Sequence, residues 1–297
     1  KTAPFPTAGN YVSFPLDNFK PMYVNQWNLS VQRQVGDWLL TINYLGNSQI
    51  HTPSSSAGNP AQFLGLGACT IAGVSYSTCS TTNNQNQRRI YFLKNPDQGK
   101  FYASIGQSGD GGTTSYNGLY LSANKRLKKG LTLQTNYTWS HCIGYFNGYN
   151  SKTDQTVTVP GNPLFDRGQC DSDRRHIFNL TVVAMTPKFS NNMARRIGTG
   201  WQVAGLYRFQ SGMPISIQDG TDRALTGINH QRPNVLTDNP YTGNSGPGDQ
   251  YLKPLNVGFA PQALGTNGNL GWNSIVSPTY WDIDLAVSRE FKVTERQ

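Results

Sequence analysis

Seven stretches of about ten residues alternate apolar and polar side chains so strictly that each reads as an extended strand with two unlike faces. In GLTLQTNYTWS, residues 130–140, Leu131, Leu133, Thr135, Tyr137 and Trp139 fall on one side. Thr132, Gln134, Asn136, Thr138 and Ser140 fall on the other. Successive side chains of a strand point to opposite faces, so these are two surfaces and not a mixture. The polar surface carries no charge, and the apolar one ends in two aromatic rings.

The pattern recurs. In VNQWNLSVQRQV, Trp27, Leu29 and Val31 alternate with Asn28, Ser30 and Gln32. A turn at Gly36–Asp37 leads into WLLTINYLG, where Leu40, Ile42 and Tyr44 oppose Thr41 and Asn43. YNGLYLSANKRL turns at Lys128, Lys129 and Gly130 into the strand quoted first. HIFNLTVVAMT sets Phe178, Leu180 and Val182 against Asn179 and Thr181. WQVAGLYRFQ sets Trp201, Val203 and Tyr207 against Gln202 and Arg208. YWDIDLAVSREF sets Trp281, Ile283 and Leu285 against Asp282 and Asp284. Connections between strands alternate short and long. The long ones run from about Asn47 to Gly112, from about Ile143 to Asp173, and from the sixth strand to about Pro278.

Charged residues are 14% of the chain, against about 25% in ordinary soluble domains. No window sustains helical periodicity over three turns. No uncharged apolar run approaches the roughly 18 residues of a membrane helix. An all-β chain remains. Strands of about ten residues match the length a tilted strand needs to cross a bilayer. Short connections on one side and long ones on the other are the asymmetry of outer-membrane barrels. The expected fold is therefore an antiparallel transmembrane β-barrel segment with short periplasmic turns and long extracellular loops. Its apolar, aromatic-tipped face meets lipid, and its amide- and hydroxyl-rich face meets a wet lumen. A soluble sandwich also uses amphipathic strands, but Asp282 and Asp284 on a central strand there would be costly unless paired.

Sites of chemistry are scarce. No glycine-rich phosphate loop, nucleophile elbow or paired-His helix motif occurs, so no enzyme activity and no cofactor is expected. His141, Cys142, Cys170 and His176 lack the close pairs of a structural zinc site. Four Cys in or beside long loops admit three pairings, and sharing a loop selects Cys69 with Cys79 and Cys142 with Cys170. That implies an oxidising compartment. The net charge of +9 lies mostly at the short-turn rim, in Lys125, Arg126, Lys128 and Lys129, in Lys188, Arg195 and Arg196, and in Arg289, Lys292 and Arg296. There long basic side chains stay solvated. No basic groove with spaced aromatics accompanies them, so no nucleic-acid partner is expected. Asp171, Asp173, Arg174 and Arg175, just before a strand, read as ion pairs that anchor a loop.

Several stretches together carry a resemblance: YVNQWNLSVQRQV, YNGLYLSANKRLKKGLTLQTNYTWSHCI, DSDRRHIFNLTVV, GWQVAGLYRFQSGMPISI, RPNVL and YWDIDLAVSREFKVTER. In this order they resemble successive barrel segments of Oar-like TonB-dependent receptors. Trp272 departs from the pattern, which usually has Arg there, and the strands that follow FKVTER in the family are not in this sequence. The resemblance implies a partial barrel domain over residues 1–297, with a plug domain and final strands outside it. It also implies an outer-membrane location and energy-coupled movement of a bulky, unidentified solute. The implied partners are outer-membrane lipid and a TonB-type coupling protein acting through the plug. A passive porin-like channel and a β-rich surface adhesin are the alternatives.

Overall fold

A computed structural model describes residues 5–15, 17–126, 130–145, 157–229 and 231–291. Its main sheet is built from β1 (Gly9–Ser13), β2 (Tyr23–Val35), β3 (Trp38–Ala57), β4 (Tyr102–Arg126), β5 (Leu131–Tyr145), β6 (His176–Met185), β7 (Trp201–Gln210) and β8 (Tyr280–Arg289). The strands from β2 to β8 pair with their chain neighbours, every pair antiparallel. Among the described residues β2 and β8 are the two edges, and the sheet does not close.

The turns follow from local chemistry. Val35 pairs with Trp38, leaving a two-residue hairpin whose first position, Gly36, has φ +59°. A residue without Cβ takes that conformation freely. The β6–β7 connection contains a short helix, α1 (Asn192–Gly198), capped by Asn191, whose side chain accepts from the N–H groups of Met193 and Ala194. Of the basic rim residues, Lys128, Lys129, Lys292 and Arg296 lie outside the described residues, as does the side chain of Arg126.

Two expectations need correction. The loop placed between Asn47 and Gly112 begins later and ends earlier, because β3 continues to Ala57 and β4 starts at Tyr102. At about 3.3 Å per residue the two strands are roughly 65 and 80 Å long, far more than a bilayer core of about 30 Å. Their outer parts pair Ser54, Ser55 and Ser56 with Gly109, Ser108 and Gln107. Outside the membrane both faces are wet, so pairing there needs no apolar alternation to sustain it. The second omission is β1, which lies parallel to β4 with Tyr11 opposite Ile105 and Ser13 opposite Gln107.

Apart from Gly46, Gly118 and Ser140, few buried residues lie in the membrane-length part of the sheet. Most lie where the described parts of the long connections, 58–101, 157–175 and 211–279, pack on one another and on the outer ends of β3 and β4. Phe259, Leu270 and Ile275 form a small apolar core covered by Ile217, Val235, Tyr241 and Leu252. Among the described residues the largest fully enclosed side chains are polar: Arg88, Arg232, Gln231, Gln262, Asn59, Thr158 and Ser80.

Candidate functional site: two sheet faces and a loop assembly

Residues directly opposite in a ladder share a face, so register decides which side chains stand together. One rung runs Val31, Ile42, Leu121, Tyr137, Phe178, Phe209, Trp281. The next apolar rung toward the short turns contains Leu40, Leu180, Tyr207 and Ile283. All the residues expected to meet lipid, from Trp27 through Leu133 to Leu285, fall on this face. All those expected to line a lumen fall on the other. Arg33, Lys125 and Thr135 are polar intruders on the apolar side. Lys125 lies over the Trp38 ring at 5.0 Å, and Thr135 donates to the Asn179 carbonyl at 3.2 Å.

Exposure of the apolar face is extensive. Leu285 is 74% accessible, Leu29 68%, Trp281 61% and Ile42 52%. A contiguous apolar surface on this scale is not left to water. On β7 the aromatic residues Trp201 and Phe209 bracket it eight positions apart, or roughly 26 Å along the strand. That is close to the apolar band of about 25 Å between aromatic girdles in outer-membrane barrels.

The opposite face carries a polar rung across all seven strands: Gln32, Thr41, Ser122, Asn136, Asn179, Arg208, Asp282. Side-chain bonds join its members. Gln32 donates to Thr41 at 3.2 Å, and Asn179 to Asn136 at 2.8 Å. Arg208 reaches Asp282 at 2.6 Å and Asp284 at 2.9 Å. That ion pair was missed from sequence, although Arg208 and Asp282 sit on the same face of consecutive strands. The face is also less uniformly polar than the alternation implies, since Leu39, Val183 and Leu206 stand on it beside Asn124, Thr132 and Thr181.

Above the sheet the long connections interlock. Arg88 donates to Asn84 Oδ1 and to the carbonyls of Gln62, Thr81 and Leu225. It thereby ties the first connection to the third. Burial pulls its pKa below the ordinary arginine value, and the Asp222 carboxylate opposes this. Arg232 lies over the Phe165 and Trp272 rings at 4.5 and 5.6 Å and pairs with Asp166 at 2.6 Å. Trp272, the departure from the family pattern, thus flanks an arginine. Asn273 and Gln169 exchange amide-to-carbonyl bonds of 2.8 and 3.0 Å.

Both expected disulfides are present, Cys69–Cys79 and Cys142–Cys170. The second fixes the outer end of β5 to the second connection and takes both Cys away from any metal. Among the described residues no group of three or more His, Cys, Asp or Glu could hold one. Asp173 is buried, accepts from the Cys142 N–H at 2.9 Å and has His141 and Arg175 at its other oxygen. Asp171 accepts from Asn273, and Arg174 donates to the Ser211 carbonyl. The cluster anchors loops to strand ends. His176 instead meets the Tyr137 hydroxyl at 2.8 Å.

A meander of antiparallel strands, apolar on one face and polar on the other, with short turns at one rim and long connections at the other, defines an outer-membrane β-barrel sheet. The chain belongs to the outer membrane beta barrel domain family, which matches residues 1–297. Its place is the outer membrane, in association with the lipid there. No curated protein and no solved structure matches it.

Proposed function

We propose that this barrel sheet serves a TonB-dependent, Oar-like receptor that moves a bulky solute across the outer membrane without chemical change. The apolar face meets lipid, and the polar rung lines the conduit. The observation that carries the reading is where the enclosed side chains lie. They lock the three long connections into one preorganised body above the sheet. A solute receptor needs such a fixed outer surface, because binding that must first order its loops loses affinity. The unpaired edges at β2 and β8 support the same reading. An open edge in hydrocarbon leaves N–H and C=O groups unsatisfied at several kcal/mol each, so the barrel needs strands beyond these seven. Energy-coupled outer-membrane barrels have about 22.

The test is uptake by cells expressing the intact protein, with and without the inner-membrane energy source. Uptake that stops on uncoupling, together with no steady conductance in planar bilayers, is expected. Ion conductance that persists in bilayers without any energy source would identify a passive channel instead. Release of the intact protein into buffer without detergent would identify a surface adhesin.

A further inference from the structure

Three guanidinium groups are buried in the loop assembly, and they are not equally satisfied. Arg88 uses all three nitrogens on Asn84 Oδ1 and three carbonyls. Arg232 also uses all three, on Asp166, Thr158 and the carbonyls of Phe165 and Leu270. Arg89 does not. Its Nε donates to Asn86 Oδ1 at 2.9 Å and its Nη1 to the Asn59 carbonyl at 2.7 Å, which fixes the plane of the group. Its Nη2 has no hydrogen-bond partner among the described residues, although the residue is only 6% exposed.

Arg89 borders a cavity of about 160 Å³ between the outer ends of β3 and β4 and the third long connection. Ala57, Pro60, Gly106 and Thr226 form much of its wall, with Ser104 and Asn229 as exposed polar members. The carboxylate acting on Arg89 is that of Asp222. Asp222 is already engaged by the N–H groups of Thr226 and Gly227 and by the Gln231 amide. Burial lowers the Arg89 pKa, and the neighbouring Arg88 charge adds to that effect. A largely desolvated cation is costly, and Nη2 is the donor left free to face the cavity. A ligand that brings a negative oxygen to Nη2 offsets that cost. Charge-assisted bonds from arginine to carboxylate or phosphate are among the stronger hydrogen bonds.

We propose that this cavity is an oxyanion subsite, in which Arg89 Nη2 donates to a carboxylate or phosphate oxygen, with the Ser104 hydroxyl and the Asn229 amide within the same cavity for the remaining oxygens. That the oxyanion belongs to a transported solute rests on the receptor reading above; that the cavity binds an oxyanion does not.

The test uses the intact protein in detergent and selenate as the probe. Crystals grown with selenate should show an anomalous peak within hydrogen-bond distance of Arg89 Nη2, and calorimetry should show saturable binding in solution. Competition by acetate and by phosphate separates the two sources, since the better competitor names the group. Arg89→Gln should weaken selenate binding roughly 10- to 100-fold, the loss of one charge-assisted bond. An empty cavity in the wild-type crystal overturns the proposal, as does a peak without solution binding, which is an adventitious ion only. Unchanged affinity in Arg89→Gln overturns it too. Should that variant not fold, the wild-type crystal and calorimetry decide alone. Selenate binding with energy-independent conductance would keep the subsite and reject the receptor; energy-coupled uptake with an empty cavity would do the reverse.

Discussion

Replacing Arg88 by Met removes the group that joins the first long connection to the third while keeping most of its stem volume. Four acceptors lose their donor: Asn84 Oδ1 and the carbonyls of Gln62, Thr81 and Leu225. Stranding them at about 1 kcal/mol each would cost about 4 kcal/mol. Removing the cation also removes its desolvation penalty, whose sign is visible in the lowered pKa of Arg88. The net is about 3 kcal/mol, or roughly 150-fold in the opening equilibrium of the loops. All four acceptors belong to the loop assembly, so the opening should be local. Native-state proteolysis in the regime where cleavage follows the open population reads it directly. Arg88→Met should be cut roughly 150-fold faster within residues 58–101 and 211–279, with the strand signal in circular dichroism unchanged. Equal cleavage rates would refute the reasoning, and so would simultaneous loss of loops and sheet.

Three further outcomes are expected. Leu133→Arg, on the rung of Gly205 midway between the Trp201 and Phe209 girdles, should cost about 2–4 kcal/mol in folding into lipid, whereas Trp281→Arg, opposite Phe209 at the girdle, should cost about 0–1 kcal/mol from its charge; equal costs in denaturant titrations would contradict the depths assigned. Cys142→Ala with Cys170→Ala opens a disulfide spanning 28 positions and should lower stability of that loop by about 3–4 kcal/mol in the chain-entropy model, read by proteolysis between the two positions. Gly168→Ala places a Cβ 2.1 Å from the Trp272 carbonyl oxygen, a backbone clash that should loosen the second and third connections by about 1–3 kcal/mol, measured against Gly111→Ala, where the nearest atom is 3.6 Å away.

The membrane part of this fold was legible because one physical rule governs it. A strand between lipid and water must alternate, so Trp27, Leu29 and Val31 against Asn28, Ser30 and Gln32 disclose both faces before any partner strand is known. Neighbour-to-neighbour pairing then follows from the short turns, and the edges fall at the first and last alternating segments. The disulfides were legible from loop sharing. The outer ends of β3 and β4 were not, because Ser- and Gly-rich strands wet on both faces leave no periodic trace. Nor were the keystones of the loops. Arg88 and Arg89 sit in NQNQRRI and Arg232 in HQRPN, stretches that read as exposed polar loop. What buries Arg88 is a segment 137 positions away in sequence, and no local pattern encodes a partner at that distance.

The two parts of the molecule therefore answer to different solvents, and this constrains how they can move against each other. The sheet needs lipid on its apolar face. The loop assembly needs its buried guanidinium and amide groups satisfied. They are joined at strand ends: Ser140 N–H to the Arg175 carbonyl, His176 N–H to Ser211 Oγ, Gly58 N–H to the Ile105 carbonyl, and the Cys142–Cys170 bond. Moving the whole assembly off the sheet would break all of these at once. Within the third connection, by contrast, Leu255, Val257 and Leu264 are exposed and make none of those bonds. Displacing part of that connection alone would leave these strand-end bonds in place, so it costs fewer hydrogen bonds than lifting the assembly as one body.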